Sequence, residues 1–118
     1  MSVLHSTQQF TMSVKHVVAF KSPSEDKRTL MVQGFLDLKD KCERDGKKYI
    51  VSITGGKQHS PEGKDLGMDV VFIMTFNSLE DRDFYISKDE AHKAFGSHCG
   101  PTYGVEEVVV FDFTADEY

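Results

Sequence analysis

The stretch Val14-Lys15-His16-Val17-Val18-Ala19-Phe20-Lys21 decides how the rest of the chain is read. Its alternation predicts a β-strand, because successive strand side chains point to opposite faces. Val14, His16, Val18 and Phe20 share one face, and Lys15, Val17, Ala19 and Lys21 share the other. A histidine thus stands on the more apolar face. Ser22-Pro23-Ser24-Glu25 predicts a helix start, with Ser22 as cap, Pro23 at the first helical position and Glu25 reaching back to the cap amide. Met31, Phe35, Leu38 and Cys42 then recur at helical spacing, and Gly46 is expected to end that helix. Tyr49–Thr54 and Met68–Phe76 read as two more strands, joined by a loop holding Gly55, Gly56, Pro61, Gly63 and Gly67. Ser78-Leu79-Glu80-Asp81 opens a second helical region, Gly100-Pro101 closes it, and Val105–Phe113 forms the last strand.

The resulting order, β-α-β-β-α-β, predicts an α+β, ferredoxin-like fold: a four-stranded antiparallel sheet with two helical layers on one face. Val70–Met74 and Val108–Phe111 are apolar on both faces, whereas a sheet with one wet face should alternate. Helices cover only one side, so a second copy of the chain is expected on the other, giving a homodimer. Residues 1–13 are polar and aperiodic and are expected to form an arm, 14–113 the folded domain, and 114–118 an acidic tail.

A chain of 118 residues makes one domain with a sizeable core. Its 14 Lys and Arg against 19 Asp and Glu give a net charge of −5, which argues against nucleic acid or an anionic membrane as partner. No apolar run approaches the ~20 residues that span a bilayer. Met1–Ser13 lacks the pattern of a secretory signal. Cys42 and Cys99 stand far apart and outside any Cys-x-x-Cys motif, which predicts reduced, structural thiols and a cytoplasmic location.

His16 needs a hydrogen-bond partner or water on its apolar face, since an unpaired buried imidazole costs about 1–3 kcal/mol, and the second helical region can supply one. Tyr85 and His92 are seven apart and share a face on one continuous helix, with Cys99 extending the stripe. Ser87 with Glu90 offers an alternative cap that would split the region in two. His5 falls in the arm and His59 in the glycine-rich loop. His92 and His98 are six apart, the wrong spacing for one metal-binding helix face, so no metal is expected. Gly55-Gly56 lacks the Gly-Lys-Ser/Thr ending of a phosphate loop. Lys57 and Lys64 read as solvated, and the pairs Glu106-Glu107 and Asp116-Glu117 as aids to solubility.

Taken in order, Val14–Lys21, the loop Gly55-Gly56-Lys57-Gln58-His59-Ser60-Pro61-Glu62-Gly63 and the segment Tyr85–Phe95 resemble the stress-responsive dimeric α/β-barrel family. The resemblance runs from about Val14 to Phe113. It implies a homodimer with a cavity between sheet and helices, at which His16, Tyr85 and His92 converge. The plant polyketide cyclases of the family imply a cofactor-free aldol closure of a polyketide-like carbonyl compound. His92 would be the base, Tyr85 the oxyanion donor and His16 a residue that tunes His92. Val71, Phe95 and Val105 would form apolar wall. The chain departs from the family at Asp69, where many members carry a third histidine; a carboxylate there would favour protonated imidazole nearby. Two other readings fit the same fold: a non-enzymatic stress-response dimer, and a cofactor-independent oxygenase or decarboxylase of aromatic polyketides.

Overall fold

A computed structural model describes residues 13–118, so the expectations for His5 and for most of the arm lie outside the described residues. The strand that anchors the prediction is β1, Val14–Lys21, and it is central. The other elements are α1 (Glu25–Lys41), β2 (Glu43–Arg44), β3 (Lys47–Lys48), β4 (Ile50–Lys57), β5 (Val70–Phe76), α2 (Leu79–Ser87), α3 (Glu90–His98) and β6 (Glu107–Thr114). The main sheet runs β4-β5-β1-β6 with every pair antiparallel. With its helices on one face, it is the ferredoxin-like α+β architecture.

Alternation along β1 decides the layers. Val14, His16, Val18 and Phe20 are buried beneath the helices, as are Val70, Phe72, Met74 and Phe76 of β5. Phe35 of α1 stacks on Phe72 with centroids 4.2 Å apart and meets Phe20 and Phe95 edge-on. Aromatic pairs of this kind add about 0.5–1.5 kcal/mol each beyond simple burial.

Among the described residues nothing covers the opposite sheet face. Val17, Val71, Ile73, Val109, Phe111 and Phe113 point there by register, with Phe111 60% and Phe113 47% exposed. Among the described residues no helix is long and apolar enough to cross a membrane.

Several boundaries differ from expectation, those of the first helix because another group competes for a role. Ser24, not Ser22, caps α1, accepting from Lys27 N. The Ser22 hydroxyl is engaged elsewhere, donating to the Tyr103 carbonyl at 2.7 Å. The helix ends at Lys41, before Gly46. Asp45 (φ 54°) and Gly46 (φ 78°) form the turn of the β2–β3 hairpin instead, the Asp-Gly turn that matches strand twist. Gly55 and Gly56 belong to β4 and not to the loop after it.

Gly55 is there because nothing larger fits: a Cβ would run into the Val71 carbonyl and the Phe72 ring, whereas at Gly56 it would meet open space. Gly55→Ala is expected to lower stability by about 1–3 kcal/mol through overpacking, while Gly56→Ala should be near neutral. Urea denaturation of both variants checks this, and equal midpoints would contradict it.

Candidate functional site

A cavity of about 280 Å³ lies between the inner sheet face and α2 and α3. His16, Tyr85, His92 and Phe95 line it, together with Val18, Phe20, Phe35, Val108 and Val110. Among the described residues, its only hydrogen-bonding side chains besides the Cys99 thiol come from His16, Tyr85 and His92.

His92 reaches the cavity because the second helical region breaks. The Lys88 and Asp89 amides both donate to the Phe84 carbonyl, so the next carbonyl, that of Tyr85, has no amide of its own helix to accept. His92 Nδ1 lies 2.8 Å from it. A carbonyl only accepts, so Nδ1 carries the proton and the neutral ring keeps its lone pair on Nε2. The Tyr85 and His92 rings stack with centroids 4.0 Å apart. Residues seven apart on one helix would stand about 10 Å apart along its axis. The stack therefore depends on the break. The cap that makes it is Asp89, whose Oδ1 accepts from His92 N at 3.0 Å. Ser87, the expected cap, instead donates to the Asp83 carbonyl.

His16 finds its partner in the sheet and not in the helices. It sits opposite Asp112 on β6, and its Nδ1 is 2.8 Å from Asp112 Oδ1. Arg82 Nη1 donates to the other carboxylate oxygen at 2.7 Å. Here too Nδ1 is occupied, and Nε2 is the free ring nitrogen. The His16 ring meets Tyr85 edge-on at 5.6 Å.

Burial lowers the His92 pKa, opposed in part by the Tyr85 carbonyl, so the imidazole is held neutral. Burial pushes the Tyr85 phenol up, keeping its proton available for donation. Tyr85 is 1% exposed and its hydroxyl makes no hydrogen bond among the described residues. Cys99 is likewise pushed up by burial, so its thiol stays protonated at neutral pH.

The remaining expected site residues lie elsewhere. Val71 is on the uncovered sheet face, one residue out of phase with the cavity side. Asp69 lines a separate cavity of about 170 Å³ with Arg28 and Lys57, and its Oδ2 accepts from Ser22 N at 2.7 Å. That cavity is not the one His92 lines, so the carboxylate expected beside the imidazoles is not there. Val105 packs against the core without lining the cavity. Sequence reasoning missed Asp112, Arg82 and Asp89. Asp112 carried a signal: it is the one charge inside the run Val108–Phe113. Among the described residues no group of three or more His, Cys, Asp or Glu is placed to hold a metal.

The sequence pattern of the stress responsive A/B barrel domain matches residues 14–115. A solved structure of an Arabidopsis thaliana protein is 26% identical, covers 89% of this chain and 97% of its own, and gives a TM-score of 0.73. The hydroxynitrile lyase of Passiflora edulis also gives 0.73, at 18% identity over 92% of this chain and 97% of that one. A dimeric protein of ferredoxin-like fold from Bacteroides fragilis gives 0.60, at 22% identity over 86% and 95%. The sequence finds no match among curated proteins.

The depressed His92 pKa has a consequence for stability. As pH falls through the ordinary imidazole range, the unfolded state binds the proton before the folded state does. His92 therefore withdraws stability from about pH 6.5 downward, until the folded-state pKa is passed. Stability measured from pH 8 to 5 should fall more steeply for the parent than for His92→Gln; parallel curves would contradict a buried neutral imidazole.

Proposed function

Because the chain belongs to the stress responsive A/B barrel domain family, we propose that it is a homodimeric acid–base catalyst acting, without a cofactor, on a carbonyl compound held against His92, Tyr85 and His16. One observation carries the reading: in a cavity otherwise apolar but for the Cys99 thiol, the groups without a partner among the described residues are two imidazole Nε2 atoms and a buried phenol. Leaving that hydroxyl unpaired costs about 1–3 kcal/mol. A bound carbonyl oxygen would remove the cost.

The chemistry follows from the donors and acceptors. His92 Nε2 takes a proton from the carbon beside a ketone, and the carbanion attacks a second carbonyl of the same molecule. Tyr85 O–H hydrogen-bonds the oxygen that gains charge, and the alkoxide takes the proton back from His92, so the base is regenerated and nothing is oxidised. His16, oriented by Asp112, presents its Nε2 to the same substrate. A linear polyketide-like ketone closing on itself meets these needs. The hydroxynitrile lyase of similar fold favours carbonyl chemistry as well, since a hydroxynitrile is the adduct of a carbonyl compound with cyanide. A cyanohydrin is therefore the second substrate to test.

His92→Ala is expected to lower turnover of a poly-β-ketone or a cyanohydrin by about 10²–10⁴-fold while leaving fold and assembly unchanged. Tyr85→Phe should reduce it less, because the base remains. Steady-state rates decide: a His92→Ala variant as active as the parent ends this mechanism. Ligand retention without turnover in the parent would favour a non-enzymatic stress-response dimer, and oxygen consumption with an aromatic substrate the oxygenase reading.

The same proposal includes the dimer. The uncovered face through Val109, Phe111 and Phe113 suits a second copy, and relatives of this fold are described as dimeric. Light scattering should give twice the chain mass of 13.3 kDa, and Phe111→Lys should yield monomer or aggregate. Val110 faces the cavity side, so Val110→Lys should disturb the site more than the assembly. A stable parent monomer at micromolar concentration would contradict the pairing.

A further inference from the structure

Asp89 is 2% exposed, yet among the described residues no cationic side chain pairs with it. Its partners are neutral donors. Tyr49 Oη donates to Oδ2 at 2.6 Å, and His92 N donates to Oδ1 at 3.0 Å. Both oxygens accept, which is the behaviour of an ionised carboxylate. A helix cap alone does not require this, because Ser or Asn caps a helix as well without placing a charge in the interior. A buried charge without a counter-ion is costly, and its two hydrogen bonds and the helix N-terminus offset that cost only in part.

The group positioned to use the charge is His92, three residues on in the first turn of α3. We propose that Asp89 is the counter-charge of His92: its carboxylate offsets the positive charge that the imidazole acquires on taking a proton. Asp89 does not line the cavity, so it is a positioning residue acting through His92. The inference rests on the reading of His92 as the base. The other titratable groups of the cavity lining are His16 on β1, whose charge opposes protonation of His92, and the protonated Tyr85 and Cys99; Cys42 and Tyr49, which burial keeps protonated, lie against Asp89 itself. Asp112 lies behind His16 and is paired with Arg82. Asp89 is thus the uncompensated anion of this group, and its field raises the His92 pKa against the burial that lowers it.

The test needs no substrate. In the full-length chain, the His92 ring proton is followed by NMR against pH, assigned through its loss in His92→Gln. Asp89→Asn keeps an acceptor for His92 N–H and removes the charge; Asp89→Ser keeps a strong cap and does the same. Both are expected to lower the His92 midpoint by about 1 unit. Tyr49→Phe, which removes one donor and keeps the charge, should move it much less. An unchanged midpoint in folded Asp89→Asn would overturn the proposal and leave Asp89 as a cap only. Unfolding of both variants, with Asp89→Glu folded, would assign the carboxylate to the fold and overturn it as well. Neither result depends on turnover, so the counter-charge can fail while the base stands.

Discussion

A helix that stops leaves its last carbonyls without partners, and the orphaned carbonyl of Tyr85 is the point on which the site depends. Had α2 continued, an amide of the next turn would have claimed that oxygen, and His92 would have stood two turns away. The break at Lys88 leaves it free, Asp89 restarts the helix, and the first turn of α3 carries His92 Nδ1 to within 2.8 Å of it. One hydrogen bond thereby sets the ring orientation, the tautomer and the stack on Tyr85. A local failure of helix continuity has become the means of placing an imidazole.

The sheet supplies the complementary half. A strand with His16 on its inner face must satisfy the imidazole, and the register with β6 puts Asp112 directly opposite. Arg82 neutralises that carboxylate from α2. The two histidines thus spend Nδ1 on protein partners, a carboxylate for one and a carbonyl for the other. What remains polar and uncommitted faces a cavity walled by Phe20, Phe35 and Phe95.

Much of this could be read before any coordinates. Alternation in Val14–Lys21 is strong because a strand has only two faces, and it places His16 beneath the helices. The apolar stretches of β5 and β6 likewise predict a sheet face in need of cover. The errors arose where two elements compete for one residue or where partners are remote in sequence. Ser22 looks like a cap until Tyr103, 81 residues away, takes its hydroxyl. Gly46 looks like a helix stop until the hairpin uses it. Asp112 is separated from His16 by 96 residues, and only strand register brings them together. Val71 and Asp69 were placed in the cavity by family resemblance alone; the period of two in β5 and the Ser22 amide, respectively, put them elsewhere.

The Tyr85 carbonyl holds His92 as a neutral ring with its lone pair on Nε2. ¹⁵N NMR of histidine-labelled protein at pH 7 tests this directly, because protonated and unprotonated ring nitrogens resonate far apart. His92 is expected to show a protonated Nδ1 and an unprotonated Nε2. A proton on Nε2, or an imidazolium at that pH, would contradict it.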